Sequence, residues 1–253
     1  MSLAEQTSRE ADSATISASI RAILDKQKAA HIKEGPASAE RRIDWIDRAT
    51  QLLAAIHAAM WDRLRRSGYL QVDETPVQCR DPDAPKGSSV RTYLWVASRP
   101  GDDVVFFFNK SRSHGALTAW LGDYEGLLQT DAYAAYQKEV AARPGLVPIG
   151  CWAHARRYFI EAQSENPAAV GRIITQIAKA YQLEREWDAQ PELTPESRAA
   201  LRREHLAPVL DDIKAEVTEL RTRARPKSLL GKACDYLLGQ WKPLRAVVDH
   251  GAR

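Results

Sequence analysis

The strongest constraint on this chain is a change of hydrophobic period. Ile20, Ile23 and Leu24, and then Ile43, Ile46, Leu52, Leu53, Ile56, Met60 and Leu64, recur three and four residues apart, which is the spacing of one helix face. Gly35-Pro36-Ala37-Ser38 separates two such helices, the first running from about Ile16 and the second over about 38–66, with Ser38 as its cap and Ser67-Gly68 as its end. From Tyr69 the period becomes two, and strands are predicted at 69–75, 91–98 and 103–109. A long flexible loop is expected at 76–90, where Pro76, Pro82, Pro85 and Gly87 fall. Arg99-Pro100-Gly101-Asp102 reads as a tight turn, so the three strands form an antiparallel meander. A short helix (113–124), a strand (126–131), a helix (132–142) and a strand (146–150) follow, and Pro148 argues for an edge position of the last strand. From Trp152 the helical period returns, with helices expected at 152–163, 167–188, 195–223 and 228–248.

Within the strand region two carboxylates stand out. Asp73 lies in Tyr69-Leu70-Gln71-Val72-Asp73-Glu74-Thr75 and Asp131 closes Gly126-Leu127-Leu128-Gln129-Thr130-Asp131. Aspartate is disfavoured inside strands, and a buried one is costly unless something neutralises it. Two readings are open from spacing alone. Each Asp caps a strand end and starts a turn, or the two share a divalent cation of the kind used in phosphoryl transfer. Glu74 alternates to the opposite strand face.

A net charge of +3 permits a polyanionic partner without requiring one. Three scattered cysteines make no disulfide framework and fit a reducing cytoplasm. The chain has no apolar run of membrane-spanning length and no signal-peptide core, so no membrane association is expected.

The order β-β-β-α-β-α-β-α resembles that of the ribonuclease-H-like fold, in which the first strand lies beside the fourth and would set Asp73 next to Asp131. The segments Val72-Asp73-Glu74-Thr75-Pro76-Val77, Leu94-Trp95-Val96, Leu128-Gln129-Thr130-Asp131-Ala132-Tyr133-Ala134-Ala135-Tyr136 and Gly150-Cys151-Trp152-Ala153-His154-Ala155-Arg156-Arg157-Tyr158-Phe159 resemble the transposases of the insertion-sequence-66 family. The similarity runs from about Ala54 onward. It implies a DDE transposase whose α/β core, a ribonuclease-H-like mixed sheet, is preceded by N-terminal helices and followed by an all-helical insertion. The expected segments are 1–66, 67–163 and 164–253. The resemblance also implies that Asp73 and Asp131 are catalytic metal ligands for Mg²⁺ or Mn²⁺, with two ions in the complete enzyme. Its partners would be DNA, both transposon ends and target, and a second copy or a full-length transposase. The protein would act in the bacterial cytoplasm, on the nucleoid.

Two departures from the family pattern bear on activity. The third acid of such enzymes is a Glu in an Asn-Asn-x-x-Glu-Arg-type motif. Leu237-Leu238-Gly239-Gln240-Trp241-Lys242-Pro243-Leu244 resembles the helix before it, yet the sequence ends at Asp249-His250-Gly251-Ala252-Arg253, so a truncated and impaired enzyme is expected. Glu161 is the internal alternative for the third acid, or else a solvated helix residue. Upstream, Ile20 to Ala30 and Gly35 to Asp44 resemble the start of an aldehyde dehydrogenase of the coniferyl-aldehyde type, which implies a fused fragment over residues 16–53.

Cys151-x-x-His154 has metal-ligand spacing but lacks the four ligands of a structural zinc. A packing role, support of the acids or the steering of a phosphate are its other readings. Lys110, Arg112, Arg156 and Arg157, with Lys138 and Arg143, are candidates for DNA-backbone contact, against ordinary solvated surface. Trp120 and Trp152 read as core aromatics, while Trp95 is open to a stacking role. Leu201, Leu206, Leu210, Ile213, Val217 and Leu220 form the buried stripe of the charge-rich helix over 195–223.

Overall fold

The computed structural model describes residues 3–80, 85 and 88–252. Two compact units divide the chain, Met1–Ile56 and His57–Arg253. The first contains α1 (Leu3–Glu34) and most of α2 (Ala39–Arg65). Ile20, Ile23 and Leu24 on α1, and Ile43, Ile46, Leu52 and Leu53 on α2, are exposed. The periodicity therefore forms the helices as expected, but within this unit the stripes are not buried. Ser38 accepts the Arg41 N–H at the start of α2, as the capping argument requires.

The second unit is built on a five-stranded mixed sheet of β1 (Tyr69–Cys79), β2 (Val90–Ser98), β3 (Val104–Asn109), β4 (Gly126–Thr130) and β5 (Leu146–Gly150). The strand order is β3-β2-β1-β4-β5. β1, β2 and β3 form the antiparallel meander, while β4 runs parallel to both β1 and β5. Pro148 thus lies on an edge strand, where its missing N–H costs no ladder bond. One sheet face buries Leu70, Val72, Trp95, Ala97 and Leu128 against α3 (His114–Leu121), α4 (Ala134–Ala142) and the end of α2 through Leu64. Burial of a leucine such as Leu128, 1% exposed, contributes about 1.5–3 kcal/mol.

A second core is all-helical. It joins α5 (Trp152–Glu161), α6 (Pro167–Asp188), α7 (Pro195–Leu201), α8 (Ala207–Arg223), α9 (Leu229–Gly239) and α10 (Trp241–Ala246) around Phe159, Ile173, Ile177, Leu210, Ile213 and Leu237. Ser113, Asn166, Thr194 and Ser228 cap α3, α6, α7 and α9 with their side chains.

Four expectations are corrected. β1 does not stop at Thr75. It continues through Pro76 to Cys79, paired with β2 on one side. Its pairing with β4 is confined to Tyr69–Gln71, so at Pro76 the other side is an edge and proline is tolerated. The connection to β2 is correspondingly shorter, and its residues 81–84 and 86–87 lie outside the described residues. The helix over 195–223 is interrupted by a π turn at Arg202–Leu206, which ends two residues before Pro208, a residue that can neither donate a helical bond nor fit the preceding turn. The helix over 228–248 breaks at Gln240 for the same reason, because Pro243 stands one turn later. Finally, Trp95 is fully buried, against Trp120 and Tyr136, so it has no face to stack on a base.

Candidate metal centre

Register brings the two aspartates together. The parallel ladder pairs Leu70 with Leu128 and Gln71 with Gln129, and the same offset carried two residues further sets Asp73 opposite Asp131. Alternation along β1 turns Leu70, Val72 and Glu74 toward the helices α3 and α4 and Asp73 to the other face. Asp131 stands just past the carboxyl end of β4, and α5 begins just past the end of the neighbouring parallel strand β5. Side chains gather at such carboxyl ends in open parallel sheets. His154, in the first turn of α5, enters the same place. One donor atom each from Asp73, Asp131 and His154 lie within 4.8 Å of one another, and His154 Nε2 stands 4.0 Å from Asp73 Oδ2. Together with Gln71, Ser98, Thr130 and Cys151 they line a cleft of about 160 Å³.

Backbone donors orient both carboxylates. The Glu74 N–H donates to Asp73 Oδ1 at 2.9 Å, and the Tyr133 N–H donates to Asp131 Oδ1, also at 2.9 Å. Between Asp131 and Tyr133, Ala132 adopts a left-handed φ of 69°, which delays the start of α4 to Ala134. The Tyr236 hydroxyl, from α9, donates to the Asp131 carbonyl at 3.0 Å, so the helical core also touches the site. Burial, with Asp131 close by, raises the Tyr236 pKa.

Glu74 faces the opposite side, as alternation predicts. Its carboxylate is almost fully buried and binds Arg112 and the Tyr136 hydroxyl. Burial raises its pKa, against the lowering effect of both partners. Arg112 is therefore turned into the protein, stacked on Tyr133 with its guanidinium carbon 3.6 Å from the ring centroid. Of the other basic candidates, Lys110, Lys138, Arg156 and Arg157 are exposed. Arg143 is held by Glu139 and by the Tyr124 carbonyl.

Cys151 caps α5 beside the cleft. Burial pushes its thiol up, but hydrogen bonding to His154 and to the backbone at the helix start brings it below the ordinary value. The same contact raises the His154 pKa, against burial. Cys79 accepts a hydrogen bond from Thr92 and Cys234 is buried in the helical core. Among the described residues the metal-capable group is the Asp-Asp-His set, with no second cysteine beside Cys151. Glu161 is exposed at the last residue of α5. It stands two turns beyond His154, roughly 10 Å along the axis, and is not part of the cluster. For His154 the sequence offers metal-ligand spacing with Cys151, and otherwise packing, support of the acids or phosphate steering. The sign that points to a ligand is its place at the carboxyl end of the strand beside β4.

Among the described residues no helix is long and apolar enough to cross a membrane. The Transposase IS66 family model matches residues 23–252, so the match starts well before Ala54 and takes in most of the segment that resembles a dehydrogenase terminus. Three uncharacterized proteins of Sinorhizobium fredii (strain NBRC 101917 / NGR234) are similar. They are y4jD, 32% identical over 81% of this chain and 44% of its own length; y4hP, 26% identical over 90% and 45%; and y4qI, 24% identical over 90% and 44%. The chain thus spans less than half the length of these relatives. The family match extends from the N-terminal helices across the sheet, the carboxylate cleft and the helical core, and the chain belongs to the IS66 transposase family.

Proposed function

We propose that this chain is the metal-binding and DNA-binding part of a DDE transposase with a ribonuclease-H-like core, and that Asp73 and Asp131 hold its divalent cation, Mg²⁺ or Mn²⁺. The observation that carries the reading is the convergence within 4.8 Å of Asp73, within β1, with Asp131 and His154, just past the ends of the parallel strands β4 and β5. Ligands at about 2.0–2.1 Å from Mg²⁺ stand at most about 4.2 Å apart. The 4.0 Å between His154 and Asp73 falls inside that span, while the 4.8 Å that bounds all three donor atoms is slightly wider, so the side chains would draw in around an ion. Two carboxylates match the hard oxygen preference of these ions, and an imidazole nitrogen is better tolerated by Mn²⁺.

Held by Asp73 and Asp131, a divalent cation would supply activation of a water or 3′-hydroxyl and stabilisation of the departing oxygen of a phosphodiester. The protein's own groups prepare for that chemistry. The Glu74 and Tyr133 N–H groups fix one oxygen of each carboxylate, and the other oxygen of Asp73 faces His154 Nε2. Arg156 and Arg157 lie exposed on α5, the helix that carries His154, and with Lys110 they supply backbone contacts that give affinity without sequence choice. DNA ends and target are the partners, in an assembly with further transposase copies, in the cytoplasm.

Among the described residues no third carboxylate joins the cluster, and we read the 253-residue chain as weak or inactive in cleavage by itself. The test is Mn²⁺ binding together with a nicking and strand-joining assay on DNA carrying transposon ends. Mn²⁺ binding lost in Asp73→Ala and Asp131→Ala, with little nicking, is expected. Binding unchanged in both variants refutes the metal assignment, and robust nicking abolished by Asp73→Ala refutes the reading of weak activity. That no third carboxylate joins the cluster among the described residues also favours a second reading, a chain that holds DNA or a full-length transposase without cutting. Salt-dependent DNA binding without nicking, even in the presence of the partner, distinguishes it.

A further inference from the structure

The ladder offset sets the two aspartates opposite each other, but no rung holds them at that spacing. Pairing of β1 with β4 runs from Tyr69↔Leu127 to Gln71↔Gln129, so Asp73 and Asp131 lie beyond its last rung. What bridges the gap is on the opposite face of β1. Glu74, next to Asp73, has its side chain 1% exposed and receives the Arg112 guanidinium on Oε1 and the Tyr136 hydroxyl on Oε2. The carbon of the same guanidinium lies over the Tyr133 ring, 3.6 Å from its centroid, close packing that a cation–π contact favours. Glu74 and Tyr133 are also the residues whose N–H groups hold Asp73 and Asp131. Ala132, between Asp131 and Tyr133, has a φ of 69°. An L-residue rarely adopts that conformation, and it persists only where neighbouring contacts over-determine it. Tyr133, pinned under Arg112, is such a contact.

We infer that Arg112 is a positioning residue that clamps β1 to the Asp131–Tyr133 turn and so sets the spacing of the two carboxylates. The inference rests on the metal reading above. Arginine suits the task, because its planar fork bonds a carboxylate along one edge while its face stacks on a ring. Lysine offers one point charge and no plane.

The test measures Mn²⁺ affinity of the full chain in Arg112→Lys, Tyr133→Leu, Tyr133→Phe and Glu139→Gln. Arg112→Lys and Tyr133→Leu weaken Mn²⁺ binding by about tenfold or more, the usual cost of losing an outer partner of a metal site. Tyr133→Phe keeps the ring and retains wild-type affinity. Glu139→Gln alters an equally buried acid bound to Arg143 and Thr118. It lowers the thermal midpoint without changing Mn²⁺ affinity, which separates positioning from general loss of stability. Asp73-dependent binding that survives Arg112→Lys and Tyr133→Leu within twofold overturns the clamp alone, and so does an equal loss in Glu139→Gln. A wild-type chain that binds Mn²⁺ no better than Asp73→Ala overturns the metal reading and the clamp with it.

Discussion

Glu184→Gln tests the energetics of the helical core. Glu184, on α6, accepts from Arg202 Nε at 2.7 Å and Nη2 at 2.8 Å, and from Arg198 Nη1 at 3.0 Å. The two arginine side chains are 6% and 2% exposed. Arg202 also donates to the Val247 and His250 carbonyls, so one carboxylate joins α6, the π turn and the segment after α10. Glutamine keeps the shape and removes the charge, which leaves two buried guanidiniums short of a counter-ion. Removing one partner of a buried pair costs about 3–5 kcal/mol. Two facts reduce that figure. The Glu184 side chain is 23% exposed, and Arg198 keeps Asp188 at 2.9 Å. The expected loss is therefore about 2–3 kcal/mol, below the fully buried range. For a unit of this size that lowers the thermal midpoint by about 5–10 °C. Circular dichroism and tryptophan fluorescence melts measure it, with Glu219→Gln as the control. The Glu219–Arg223 pair has side chains 67% and 76% exposed, and such a pair contributes about 0–1 kcal/mol. Raising salt shrinks the small effect of Glu219→Gln and leaves that of Glu184→Gln nearly intact. Equal shifts in the two variants refute the argument that burial makes this carboxylate dominant.

Three further outcomes follow from single contacts. Gly231→Ala places a Cβ 2.2 Å from the Arg225 carbonyl oxygen, backbone that cannot rotate away, and an overpacking cost of about 1–3 kcal/mol is expected in urea unfolding. Tyr236→Phe removes the donor to the Asp131 carbonyl and lowers stability by about 0.5–1.5 kcal/mol by the same assay; no loss shows that this bond does not tie the helical core to the site. Glu139 supplies a pH dependence. Burial alone raises its pKa, but Thr118, Arg143 and His114 together bring it below the ordinary 4.5. A depressed folded pKa means that the stabilisation is complete above about 4.5 and is lost as pH falls through the lower folded value. Wild type and Glu139→Gln therefore differ most in thermal midpoint at pH 6 and converge toward pH 3. A gap that widens on acidification contradicts the assigned direction.

The sheet was readable because strand alternation is a local property, and the edge position of β5 followed from one proline. The same rule misled at Pro76. Proline excludes a residue from a strand only where both sides are paired, and how far β4 accompanies β1 is a tertiary fact that composition does not hold. The π turn, by contrast, left a trace. Leu201 and Leu206 are five residues apart in a stripe that otherwise steps by three and four, and that extra residue is what a π turn inserts. At the site, strand alternation sent Asp73 and Glu74 to opposite faces, but a sequence does not say which cation each acid will claim. Arg112 read as a phosphate contact because its charge was visible and its partner was not. Its partner is the very acid that alternation had turned away from the cleft. A basic residue near a predicted metal site is therefore assigned to DNA only after the buried carboxylates on the far face of the same strand have been matched, and here that order moves Arg112 from the DNA to the scaffold while leaving Arg156 and Arg157 exposed on α5.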